Sequence, residues 1–148
     1  MEKARVFTIG FTGTTAENFF ARLKQAGVKK VIDTRLWADT QLSGFARKKD
    51  LGFFSKNLVG ADYEHKVDLA PTEKILKDYK DRRITWQEYE DRYLDLLHTR
   101  RIADKMAIEQ VSHGCFLCAE KEPHHCHRRL LAEYLQKEWS SSFDIIHL

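Results

Sequence analysis

The densest run of chemically able side chains is Cys118 to Arg129, CAEKEPHHCHRR. It joins the apolar run Cys115-Phe116-Leu117-Cys118-Ala119, which reads as a strand buried on both faces, to a helix expected from about His125 to Glu138. The unpaired N–H groups and the positive end of that helix would lie beside Cys126, His127, Arg128 and Arg129, which is good ground for an anion. The same field, with Arg and His adjacent, raises the thiolate fraction of Cys126 and makes it the candidate nucleophile or redox thiol, with Cys118 as a second thiol. Zinc is the competing use of these residues, since Cys115, Cys118, Cys126 and one of His124, His125 or His127 supply enough soft ligands. Side chains three apart on a strand point to opposite faces, so Cys115 and Cys118 would need a turn that Phe116-Leu117 does not offer. A four-ligand zinc site and a partial site of Cys118, Cys126 and a histidine such as His127 both stay open as metal alternatives, while the first reading calls for no cofactor. Cys115 reads as core filler, and His124 and His125 as exposed loop residues.

Other polar residues fall at the ends of expected strands. Asp33 and Arg35 alternate about Thr34 and share one strand face, where they pair with each other or serve an active site as orienting base and anion clamp. Thr12 follows the first strand, His65 ends the third, Glu120 follows the fourth and His147 ends the last. In an open parallel sheet, ligands bind outside the carboxyl ends of the strands, and these residues gather there. The loop from Thr8 to Thr14 contains two glycines but lacks the phosphate-binding G-x-x-x-x-G-K-[ST] pattern, so an ordinary tight turn explains it as well. Arg47, Lys48 and Lys49 read as a basic loop over the rim or as surface solubility.

The elements that must position these groups alternate. Val6 to Ile9 and Val31 to Arg35 read as strands, with a helix from about Thr15 to Ala26 between them, capped by a Thr14–Glu17 box and closed by Gly27. Leu51, Phe54 and Leu58 mark a second helix stopping near Gly60, and Asp62 to Lys66 a polar, edge-like strand. Residues 72–111 read as helical, with Thr72 as one cap and a Thr85–Glu88 box as another. The aromatics Trp86, Tyr89 and Tyr93 follow the helical period and read as core. Ile145 to Leu148 closes the chain as a last strand. The pattern predicts an α/β fold: a single domain, residues 1–148, with a mostly parallel β-sheet of about five strands flanked by helices on both faces.

Composition bounds the rest. The chain has 148 residues, 43% hydrophobic and 32% charged, with only 7 Gly and 2 Pro, which excludes collagen-like and disordered classes. No apolar run approaches the roughly 20 residues of a membrane span, so no membrane partner is expected. The start MEKARVFTIGF has no signal-like core, and three cysteines confined to residues 115–126 make a poor disulfide framework, so a cytoplasmic setting is expected. Net charge is +3, but residues 1–60 hold 11 Lys/Arg against 5 Asp/Glu whereas 61–148 hold 14 against 17. The basic first part favours an anionic small molecule or nucleic acid, unless it is simply a solvated face.

The run CAEKEPHHCHRRLLAEYL, together with FTIGFTG at 7–13, VIDTR at 31–35, QLSGFARKKDL at 41–51, YEHKVDLAPT at 63–72 and ITWQEYEDRYLDLL at 84–97, resembles the DUF488 family, a domain of unknown function. The resemblance implies an α/β domain with a polar cluster and no established activity. It marks Asp33, Arg35, Ser43, Phe45, His65, Cys118, Glu120, Cys126, His127 and Arg128 as characteristic positions. Many members read T-I-G-H-S at the first turn, where this chain has Phe11-Thr12, so no first-turn histidine role transfers, although Thr12 keeps a hydroxyl. Two expectations follow. One is an enzyme on a phosphate-bearing or otherwise anionic substrate, with Cys126 and Cys118 as thiols, Asp33, Glu120, His65 and His127 for proton transfer, and Arg35, Arg128, Thr12, Ser43, Phe45 and His147 as ligand contacts. The other is a non-catalytic nucleotide, nucleic-acid or protein binding module, or a zinc-stabilised domain.

Overall fold

Strands that are apolar on both faces need a covering layer on each side, and the chain supplies two separate groups of helices. The structure is a computed structural model and describes residues 3–39, 44–120, 122–140 and 143–148. Its strands are β1 (Arg5–Gly10), β2 (Lys30–Asp33), β3 (Asp62–His65), β4 (Gly114–Cys118) and β5 (Asp144–His147). Between them run α1 (Ala16–Ala26), α2 (Lys48–Phe54), α3 (Glu73–Lys80), α4 (Trp86–Thr99), the short α5 (Ile102–Lys105) and α6 (Ile108–Val111), and α7 (His127–Glu138). All five strands form one sheet in the order β3-β2-β4-β1-β5, every pair parallel. This is the α/β arrangement that the strand and helix pattern predicts.

Alternation along the strands divides the core in two. Phe7, Ile9, Val31, Cys115 and Leu117 face one side and pack on Phe19, Phe20 and Leu23 of α1 and Leu51 of α2. Val6, Ile32 and Phe116 face the other side, under Tyr89, Tyr93 and Leu97 of α4 and Leu130, Leu131 and Leu135 of α7. Tyr93 is buried and satisfies its hydroxyl by donating to the Leu69 carbonyl at 2.7 Å.

Local signals set most boundaries, with three differences. The cap of α1 is Thr15, whose side chain accepts from the Asn18 N–H, while the Thr14 hydroxyl donates back to the Phe11 carbonyl. Both threonines could cap; the turn that closes on Phe11 uses up the first. The second helix changes pitch, with α2 followed by a π turn over Ser55–Val59 that ends at Gly60, φ 78°. The last helix starts at His127, two residues later than its pattern suggests, because a turn from the Cys126 N–H to the Pro123 carbonyl holds Cys126 in extended backbone as its N-cap.

Gly10, the last residue of β1, lies beside Cys118 in register. A Cβ there would run into the Glu120 carbonyl and the Arg128 guanidinium, so the position requires the missing side chain for close approach. Gly10→Ala is expected to cost about 1–3 kcal/mol and lower the thermal midpoint by at least about 3 °C, read by circular dichroism. A variant as stable as the parent would show that Arg128 is not seated against β1.

Candidate thiol site at the carboxyl rim

The register of the three central strands decides what meets at the rim. Gly10 pairs with Cys118 and Asp33 with Leu117, so β1, β4 and β2 end side by side. The helix that follows β4 returns its N-terminus to the same rim and delivers Cys126 and His127. Cys118 and Cys126 are joined there as a disulfide with Cα atoms 7.5 Å apart, and both are almost fully buried, 1% and 2% exposed. A ring nitrogen of His127 and the two sulfurs all lie within 4.8 Å of one another.

Each of these groups is held by a specific partner. His127 Nε2 sits 2.9 Å from the Thr34 carbonyl and 2.9 Å from the Thr34 hydroxyl, which itself donates to the Leu117 carbonyl at 2.8 Å. A carbonyl only accepts, so Nε2 carries the proton and Nδ1 is left with its lone pair. Burial pushes the His127 pKa down to about 4, with the neighbouring Arg128 charge acting in the same direction, so the ring is neutral at physiological pH. Arg128 is fully buried; its Nη1 donates to Cys118 Sγ at 3.2 Å and to the Glu120 carbonyl, and its Nε to the Thr8 hydroxyl at 3.3 Å. Burial lowers its pKa to about 10, which leaves it charged at neutral pH.

Both cysteines line a cavity of about 230 Å³. Cys118, Cys126 and His127 line it together with Phe11, Arg35, Trp37, Tyr79, Trp86, Tyr89, Glu120 and His125. Trp86 stacks on Tyr89 at 4.9 Å and on His125 at 4.8 Å. Its volume lies below the roughly 300–1,000 Å³ of drug-sized sites, so it suits one small molecule or one end of a longer one.

Beside the cavity, Asp33 is a saturated anchor. Its carboxylate accepts from Arg35 Nε at 2.8 Å, Arg35 Nη2 at 2.6 Å and the Tyr63 hydroxyl at 2.5 Å. Burial, then the Asp33 charge, drive the Tyr63 pKa far above the ordinary phenol value. His65 Nε2 donates to the Arg35 carbonyl at 2.7 Å, which makes His65 part of the same scaffold.

The candidates thus separate. Cys118, Cys126, His127, Glu120 and Arg35 reach the cavity; Asp33, His65 and Arg128 support it from behind. The two arginines expected as an anion clamp are both engaged by protein acceptors. Thr12 is exposed outside the cavity, Phe45 packs its ring on Phe11, Phe19 and Phe20, and His147 meets the Thr8 hydroxyl at 2.6 Å in a separate hollow near Arg5 and Glu133. Ser43 lies outside the described residues. Cys115 is buried on the opposite face, where burial raises its thiol pKa well above the usual value. A site with all three cysteines does not form, as strand alternation required. Tyr89 and Trp86, which read as core from their period, join or pack on the core and also line the cavity, as does Tyr79; the one local signal for the cavity was Trp86 at the first helical position of α4, where a side chain can reach past the helix end.

A parallel α/β domain that brings a cysteine pair and a neutral histidine to its carboxyl rim is the class that fold and site define. The chain belongs to the family described as Domain of unknown function DUF488, which matches residues 15–135. The C-x7-C-H-R element of that family is Cys118, Cys126, His127 and Arg128 here. No curated protein and no solved structure matches the chain. No helix of the described residues is long and apolar enough to cross a membrane.

Removing the anchor tests its structural role. Asp33→Asn removes the carboxylate that pairs with the buried Arg35 and is expected to cost about 3–5 kcal/mol in urea unfolding, whereas Tyr63→Phe costs about 1 kcal/mol. Equal, small losses for both would show that the pair is not the anchor of this rim.

Proposed function

We propose that this chain is a thiol-dependent enzyme that exchanges disulfides with a small molecule seated in the aromatic-walled cavity. The observation that carries this reading is the joining of the Cys118 and Cys126 sulfurs in two residues that line the cavity. Cys126 is the attacking thiol, because it stands at the N-cap of a twelve-residue helix whose positive end favours the thiolate. Its thiolate attacks one sulfur of a low-molecular-weight disulfide, forms a mixed disulfide and expels the first thiolate. Cys118 then attacks Cys126 Sγ, closes the protein disulfide and expels the second. The protein dithiol loses two electrons, the substrate disulfide gains them, and the leaving thiolates take up the protons. Arg128 supports the Cys118 thiolate through its 3.2 Å contact, which helps this residue both as attacker and, in the reverse direction, as leaving group.

The positive potential at the start of α7 favours a substrate with negative charge near its reacting sulfur, and the cavity volume favours a small molecule over a polynucleotide. Reversible exchange suits a reducing compartment, so a cytosolic setting is part of the proposal.

Reduced protein mixed with bis(2-hydroxyethyl) disulfide tests it by mass spectrometry and thiol release. The expected result is a protein disulfide with two thiols released per chain; Cys118→Ser stops at a mixed disulfide on Cys126, Cys126→Ser abolishes exchange, and Cys115→Ser behaves as the parent. Two thiols that stay reduced under excess disulfide would overturn the reading and leave a binding module.

A further inference from the structure

We infer that the reduced chain holds a soft divalent cation, Zn²⁺ foremost, between Cys118 Sγ, Cys126 Sγ and His127 Nδ1, with a fourth coordination position facing the cavity. It rests on the preceding reading only in that the cysteine pair must be available as two thiols. One ring nitrogen of His127 and the two sulfurs lie within 4.8 Å of one another on three buried side chains, so breaking the S–S bond leaves two thiols and an imidazole within reach of a single ion. The histidine is prepared for it: Nε2–H is committed to Thr34 at 2.9 Å, which fixes the ring and leaves Nδ1 as the donor atom. The Cα atoms of the two cysteines stand 7.5 Å apart, beyond the roughly 4.4–6.8 Å usual for a disulfide. That span suits two thiolates each about 2.3 Å from a shared ion.

Charge points the same way. Two thiolates buried side by side repel each other, although the Arg128 guanidinium donates to the Cys118 sulfur. A divalent cation neutralises both, and binding releases the two thiol protons to solvent. Arg128 then donates to a metal-bound sulfur from the outer shell. Cys115 on the far face cannot contribute, so among the described residues the cluster holds three ligands. All three line the cavity, where the open position would take water or a ligand atom. Oxidation of the same pair to the disulfide removes two ligands, and the cation leaves.

Cobalt(II) titration of the reduced parent protein tests this without any variant. Expected are an intense thiolate-to-cobalt band in the near ultraviolet, tetrahedral d–d bands in the visible, saturation at one cobalt per chain, and displacement by Zn²⁺. The disulfide form is expected to retain less than about a tenth of that metal, Cys126→Ser and His127→Gln to weaken binding at least about tenfold, and Cys115→Ser to leave it unchanged. Absence of both bands in protein whose two thiols are demonstrably free overturns the site, as does binding that survives loss of Cys126. Metal binding without disulfide exchange would sink the proposed exchange and keep the cation site; exchange without metal binding would do the reverse.

Discussion

A guanidinium taken out of water must find acceptors or cost several kcal/mol, and Arg128 is the largest fully buried side chain among the described residues. It finds them across the chain: the Thr8 hydroxyl inside β1, the Cys118 sulfur at the end of β4 and the Glu120 carbonyl in the loop beyond. The absent side chain of Gly10 makes room for it. One residue of α7 therefore ties its helix to the two central strands at the rim. Thr8 extends the link to the edge strand β5 through His147.

The same bonds set the chemistry. Arg128 puts a positive charge next to Cys118, and the start of α7 puts a partial one next to Cys126, so each sulfur has its own source of stabilisation. His127 is neutral because it is buried and because Arg128 is its sequence neighbour. A charged imidazole in this place would add a second cation beside the guanidinium; a neutral one gives a lone pair next to two sulfurs. The second arginine of the rim, Arg35, is treated differently. Asp33 takes up its guanidinium in a two-pronged pair, so its role is to fix the wall of the cavity under Phe11, whose ring it meets at 5.2 Å.

Local sequence signals made most of this legible. Apolar runs marked the strands, hydroxyl caps and Gly27 marked helix ends, and the crowding of thiol, imidazole and guanidinium at one strand-to-helix joint marked the rim. Strand alternation was enough to separate Cys115 from Cys118. What stayed hidden were partners distant in sequence. The acceptors of the buried arginines are such partners: Thr8, which accepts from Arg128, comes from β1, and the Asp33 carboxylate that holds Arg35 is itself fixed by Tyr63 of β3. The cavity was invisible for the same reason. Its walls come from the loop after β2, from α3, from the start of α4 and from the β4–α7 loop, and a helical period that reports burial does not say whether a face meets core or a hollow.

The placement of the thiols follows from topology. In the order β3-β2-β4-β1-β5 the first two crossovers use α1 and α2 on one face, and the later ones use α3 to α7 on the other. β4 is inserted between β2 and β1, both already flanked by helices, so its carboxyl end emerges at the centre of the rim. A residue there is shielded by neighbours on both sides, which explains why Cys118 is buried at the very end of its strand. A thiol so placed can be reached only from the open end of the sheet, and α7 closes part of that opening with Cys126. The two cysteines thus line the cavity together, between walls that are mostly apolar. Low local polarity strengthens every charge interaction at the pair. A partner that brings positive charge, or that lets the two sulfurs share one bond and shed their charge, lowers the cost of keeping them there.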